Sequence, residues 1–235
     1  MTTVAVIQAR HTSTRLPGKM LLPLAGVPVI AHIIERARSV SEIDRICVTI
    51  PDGPAQAPLG DYVKSLDGVH LSVGPEENLL RRFANAARES DADQIVRLWG
   101  DCPAVDPAAI RHLLTAFGEG AADWAFLSDG SGYPLGYGCQ VYKREALLAV
   151  DAEATNPADQ EFVHSFFQRY PARFGFINVM RPGNGFPVPS PLHLLLDTPS
   201  DYRKLGKIFD RLYPAAPLFG LSDVETLASA APSLF

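Results

Sequence analysis

Along the first half of the chain, short apolar runs alternate with longer stretches whose apolar positions recur at helical spacing. Residues 4–7 (VAVI) are continuously apolar and predict a strand. Residues 28–39 predict a helix with Pro28 in its first turn, a position that tolerates the missing N–H, and 45–50 predict a second strand. Residues 59–66 and 75–89 predict helices, the latter with Glu76 and Glu77 in a first turn where they complement the helix dipole. Residues 94–98 predict a third strand, and 107–117 a helix capped by Asp106 ahead of Pro107. This alternation implies βαβ units, hence an α/β fold with a mainly parallel sheet.

The second half is less regular. Residues 124–127 and 138–142 read as strands around a Gly/Tyr/Pro-rich loop at 129–136, and 158–169 read as one helix. Residues 174–179 predict a strand, 181–191 a Pro/Gly-rich loop, 193–196 a last core strand, and 199–212 a helix. Ser222 with Glu225 has the spacing of a capping box for a short terminal helix. No internal repeat and no sharp shift of composition divides the 235 residues. One domain is expected over 1–235.

Composition removes several classes of function. A net charge of -5 argues against a nucleic-acid binder, which presents a basic face over the whole domain. Three widely spaced cysteines, Cys47, Cys102 and Cys139, form no C-x-x-C pair, so neither a disulfide framework nor a zinc site is expected. The sequence has no long apolar run and no basic-then-apolar leader, which points away from a membrane and towards the cytoplasm.

Against this acidic background the N-terminal region stands apart, with no Asp or Glu before Glu35. Gln8 to Lys19 follows the first strand and carries Arg10, Arg15 and Lys19 together with Thr12, Ser13 and Thr14. Cations and hydroxyls concentrated in one loop form an anion cradle, at the position where open α/β sheets hold ligands. Ser13 and Met20 stand where a P-loop requires glycine and a hydroxyl, so this is not a Walker A loop. A solvated basic turn is the duller alternative.

Two aspartates at strand-to-helix junctions have no capping duty. Asp106 caps the helix after the third strand, which leaves Asp101 over; Thr198 caps the last long helix with Asp201 at its third position, which leaves Asp197 over. Mg²⁺ is a hard cation commonly held by one or two carboxylates plus substrate phosphates. Asp101 and Asp197 are therefore candidate Mg²⁺ ligands, unless each merely serves a turn.

The segments IQAR…STRLPGK at 7–19, RLWGDCP at 97–103 and DTPSD at 197–201 resemble the cytidylyltransferase-like family. Within it the sequence is similar to the spore-coat polysaccharide biosynthesis protein F group, related to the acylneuraminate and 3-deoxy-manno-octulosonate cytidylyltransferases. The resemblance implies a nucleotide-diphospho-sugar transferase (GT-A-like) three-layer α/β sandwich and a cytoplasmic, Mg²⁺-dependent nucleotidyltransferase of polysaccharide biosynthesis. It implies that Gln8, Ala9 and Arg10 line the nucleoside pocket and that Ser13, Arg15 and Lys19 hold the triphosphate of CTP. Arg97 lies near the nucleotide, Asp101 and Asp197 hold the metal, and Arg15, Lys19 and Asp101 serve catalysis. On the acceptor side, for a sugar, sugar acid or sugar phosphate, stand Tyr133, His164 and His193. Gly138 and Gln140 replace acids usual in the family. By analogy a homodimer is expected, with a nucleotide-binding half over about 1–120 and an acceptor and dimerisation half over about 121–235. A nucleotide-sugar-using glycosyltransferase and a non-catalytic nucleotide-binding module remain the alternatives.

Overall fold

The computed structural model describes residues 1–127, 129–183 and 190–235. Four strands run parallel and side by side: β1 (Thr3–Gln8), β4 (Arg45–Pro51), β5 (Val69–Gly74) and β6 (Gln94–Trp99). The seven-stranded sheet is completed by β8 (Cys139–Lys143), β7 (Trp124–Leu127) and β9 (Phe176–Asn178), in the order β5-β4-β1-β6-β8-β7-β9. Only β8 is antiparallel to its neighbours, so the sheet is mainly parallel, as the alternation implied. A separate two-stranded ribbon joins β2 (Pro23–Leu24) to β3 (Val27–Pro28).

Because β1 is central, both its faces are buried, which explains its unbroken apolar run. Ala5 and Ile7 point into a core shared with α1 (Val29–Arg38), α2 (Ala57–Lys64), α4 (Pro107–Glu119), α8 (Pro199–Leu212) and α9 (Leu221–Ala230). Val4 and Val6 point into the opposite core, with α3 (Leu79–Glu89), α5 (Arg144–Glu153) and α7 (Ser165–Arg169). The result is the three-layer sandwich expected. The short α6 (Pro157–Glu161) rests on α3.

Several elements depart from the sequence reading. The unforeseen β5 is an edge strand, with Val73 exposed, so its apolar positions give no strong burial signal. Also unforeseen, α5 is held to α3 by the buried Asp151, whose two oxygens pair with Arg81 at 2.6 Å and Arg88 at 2.9 Å. Glu76 and Glu77 lie in the turn before α3, because Asn78 caps that helix by accepting from the Arg81 amide at 2.8 Å. The helix expected at 158–169 is two short helices, α6 and α7. Residues 192–196 are extended and buried in part but are not a strand: a single bridge joins His193 to Leu135. The capping expected of Ser222 with Glu225 falls two residues earlier: Asp223 accepts from the Gly220 amide at 2.8 Å. Residues 184–189 of the predicted loop lie outside the described residues.

Candidate functional site

The chain leaves β1 for β4 and β5 on one side, then returns to place β6 on the other, so strand order reverses between β1 and β6. Their C-terminal ends diverge into loops there, the crevice in which open α/β sheets bind ligands. A cleft of about 840 Å³ occupies it. Gln8 and Trp99, paired across the two strands, sit on its floor beside Arg97.

The basic loop forms one wall. Gln56, 3% exposed, braces it: its carbonyl accepts from the His11 amide at 2.7 Å and its amide donates to the Thr12 hydroxyl at 2.9 Å. Gly18 adopts φ 68, a left-handed turn that favours glycine, and its amide donates to the His11 carbonyl at 3.1 Å. This closes the loop and delivers Lys19 to the interior, where only 9% of its side chain is exposed.

Lys19 is the junction of the site. Its Nζ donates to the Leu196 carbonyl at 2.8 Å and lies 3.5 Å from Asp101 and 3.7 Å from Asp197. Arg15 pairs with Asp197 at 2.5 Å. The aspartates, 96 positions apart in the chain, are brought together because the Leu196 amide donates to the Asp101 carbonyl at 2.8 Å.

 This contact pins the extended 192–196 segment to the turn after β6. Both carboxylates offer hard oxygen donors to the cleft and are only partly exposed, a donor set that fits Mg²⁺. No cluster of three or more His, Cys, Asp or Glu side chains is arranged for a metal among the described residues, so an ion here would complete its shell with phosphate oxygens and water.

The floor is a buried polar network on the α3 face of the sheet. Arg97 donates from Nε to the Gln8 side-chain carbonyl at 2.8 Å and from Nη1 to that of Gln140 at 2.9 Å, and its guanidinium lies over the Trp99 ring at 4.6 Å. Tyr142 donates its hydroxyl to the same Gln140 oxygen at 2.6 Å. Burial pulls the Arg97 pKa down, partly offset by Tyr142 and Asp101. Gln140 is therefore a fully buried support for Arg97, and Arg97 in turn orients Gln8.

The opposite wall comes from α6 and the segment between it and α7, with Gln160, Glu161, Phe162 and His164. His164 stacks at a tilt on Phe126, with ring centroids 5.9 Å apart, and burial, reinforced by Arg97, lowers its pKa. Arg82 on α3 also lines the cleft, with Glu76 and Glu77. Burial lowers the Arg82 pKa to about 10, with Arg10 and Arg97 acting in the same direction against Glu76 and Asp52.

All the nucleotide and metal residues named from the sequence line this one cleft: Gln8, Ala9, Arg10, Ser13, Arg15, Lys19, Arg97, Asp101 and Asp197. Of the three acceptor residues, only His164 does. Tyr133 is 7% exposed and packed in the core, its hydroxyl 3.2 Å from His112 Nδ1, while His193 is exposed on the bridge to Leu135. Sequence reasoning missed Arg82 and Trp99 and read Glu76 and Glu77 only as helix-dipole partners. The Arg81-Arg82 pair carries no sign of which arginine turns inward; that follows from the phase of α3 against the sheet.

A family described as Cytidylyltransferase matches residues 4–170. The chain is 26% identical over 232 residues to the spore coat polysaccharide biosynthesis protein SpsF of Bacillus subtilis, a match covering 97% of this chain and 94% of that protein. It is 37% identical over 118 residues to a 3-deoxy-manno-octulosonate cytidylyltransferase of Trichlorobacter lovleyi, covering 50% of this chain and 45% of that protein. The chain thus spans about half the length of that enzyme. Among solved structures, a cytidylyltransferase from Leptospira borgpetersenii superposes with a TM-score of 0.89 at 23% identity, covering 100% of this chain and 96% of the other, which establishes the shared fold.

Proposed function

The chain belongs to the cytidylyltransferase family, and from that premise we propose that it transfers a cytidylyl group from CTP to a sugar, sugar acid or sugar phosphate, for surface polysaccharide synthesis. An acceptor oxygen attacks the α-phosphorus, the bond to the bridging oxygen breaks, and pyrophosphate leaves. The observation that carries this reading is the convergence of Lys19 on both aspartates at the foot of the basic loop.

Transfer at phosphorus asks a protein mainly for alignment and charge stabilisation, and no nucleophilic side chain is needed. Gln8, Ala9 and Arg10 receive the nucleoside, while Ser13, Arg15 and Lys19 bind the triphosphate. Arg15 is 69% exposed along its side chain, so it can leave Asp197 for a phosphate at little cost. Lys19, buried and held by the Leu196 carbonyl, supplies a fixed positive charge for the leaving group. Asp101 and Asp197 would hold Mg²⁺, which would supply Lewis-acid polarisation of the phosphates. His164, the one acceptor candidate on the cleft wall, contacts the incoming sugar.

The test is pyrophosphate release on adding CTP, Mg²⁺ and a panel of sugar acids and sugar phosphates. Release that depends on one acceptor supports the reading. CTP binding without release across the panel would point instead to a nucleotide-binding module.

A further inference from the structure

Arg82 is 6% exposed, lines the cleft, and makes no ion pair among the described residues. Its Nε and Nη1 are buried without hydrogen-bond partners. A buried donor left unmade costs about 1–3 kcal/mol, and more when charged, so such a group calls for a specific explanation. Charge is only part of the deficit, because Glu76 and Asp52 favour the cation while Arg10 and Arg97 oppose it. Missing above all are hydrogen-bond acceptors.

The sheet order says where along a bound nucleotide this group lies. Asp101 follows β6 and Asp52 follows β4, on opposite sides of β1. Arg15, Lys19, Asp101 and Asp197 form the β6 end, and none of them is among the charges acting on Arg82. With the phosphates at the β6 end, the base falls towards the β4 end, against Arg82 and Glu76.

We propose that Arg82 and Glu76 read the base: the guanidinium donates to O2 and N3 of cytosine, and the Glu76 carboxylate accepts from its 4-amino group. The inference rests on CTP being the nucleotide. A guanidinium can only donate and a carboxylate can only accept. Uracil presents N3–H to the arginine and a carbonyl to the glutamate, so both contacts would set like against like. Selection then comes from the buried Arg82 left unpaired in the wrong complex as much as from bonds in the right one.

The test is calorimetric titration of the full chain, as wild type, Arg82→Met and Glu76→Gln, with CTP, UTP and pyrophosphate as separate probes. Wild type should prefer CTP to UTP by about tenfold or more, the scale of one charged hydrogen bond. Each variant should bring that ratio to within about threefold while leaving pyrophosphate affinity within about threefold of wild type. Ligand-free Arg82→Met should melt no lower than wild type, since an unpaired buried cation has been removed, and this keeps the binding result interpretable. An unchanged CTP/UTP ratio, or an equal loss for all three probes, would overturn base reading while leaving the CTP assignment standing. Wild type binding neither nucleotide would overturn both.

Discussion

Gly100→Ala should damage stability and catalysis together. Gly100 follows β6, and its amide donates to the Gln8 carbonyl at 2.8 Å. A Cβ added there would lie 2.7 Å from that carbonyl oxygen, 2.8 Å from Met20 Sδ and 3.3 Å from Ala9 Cβ. The methionine can rotate away, but the oxygen belongs to β1, which is paired to β4 on one side and β6 on the other. The end of β6 must therefore move outwards and stretch the Gly100–Gln8 bond. Overpacking of this kind costs about 1–3 kcal/mol and the weakened hydrogen bond about 1 more. A loss of about 2–4 kcal/mol lowers the melting temperature of a chain this long by roughly 5–15 °C. Asp101 moves with Gly100 away from Lys19, so turnover should fall by about tenfold to a hundredfold. Gly206→Ala is the control: nothing lies within 4 Å of its added Cβ inside α8, so it should stabilise by about 0.5–1 kcal/mol and leave turnover unchanged. Scanning calorimetry and pyrophosphate release measure both variants. A Gly100→Ala protein melting within about 2 °C of wild type with turnover within about twofold would refute the close-approach argument.

Three further outcomes follow from the site. Lys19→Met removes the ammonium between two carboxylates and should cut turnover by about a hundredfold or more, as loss of a fixed transition-state charge does, while far-ultraviolet dichroism stays native; near-normal turnover would remove Lys19 from the mechanism. Gln56→Leu deletes both braces of the loop and should lower stability by about 1–3 kcal/mol and raise the KM for CTP more than it lowers kcat; an unchanged KM would show that the loop holds its shape alone. His164 has its folded pKa lowered by burial, then by Arg97, so its contribution to stability is complete above the ordinary value of about 6.5 and is lost as pH falls from there towards the folded value. Melting temperatures of His164→Gln should accordingly decline less than those of wild type between about pH 7.5 and 5, and an equal or steeper decline would contradict the sign.

Elements with two independent local signals were legible. The helix α8 was bounded correctly because Thr198 and Asp201 cap it reciprocally, with Pro199 at its first position; β1 was legible because a central strand is apolar on both faces. Where a single signal stood alone, neighbours decided otherwise. Residues 193–196 read as a core strand, but Leu196 is bonded to the turn after β6 and, among the described residues, a single bridge joins His193 to Leu135. Tyr133 was expected on the acceptor side, yet it is packed in the core, as is Tyr137, and burial raises the hydroxyl pKa of each.

The sequence alone singled out one end of the cleft, the basic loop and the two aspartates that meet there, because composition within one loop and carboxylates left over from capping are local facts. It could not determine the other end. Which arginine of α3 turns inward, whether Gln140 meets a ligand or supports Arg97, and which histidine reaches the cleft depend on helix phase and strand register between segments far apart in the chain. Only packing of the two cores against the sheet settles those, since a side chain's partners are chosen by the face on which it emerges.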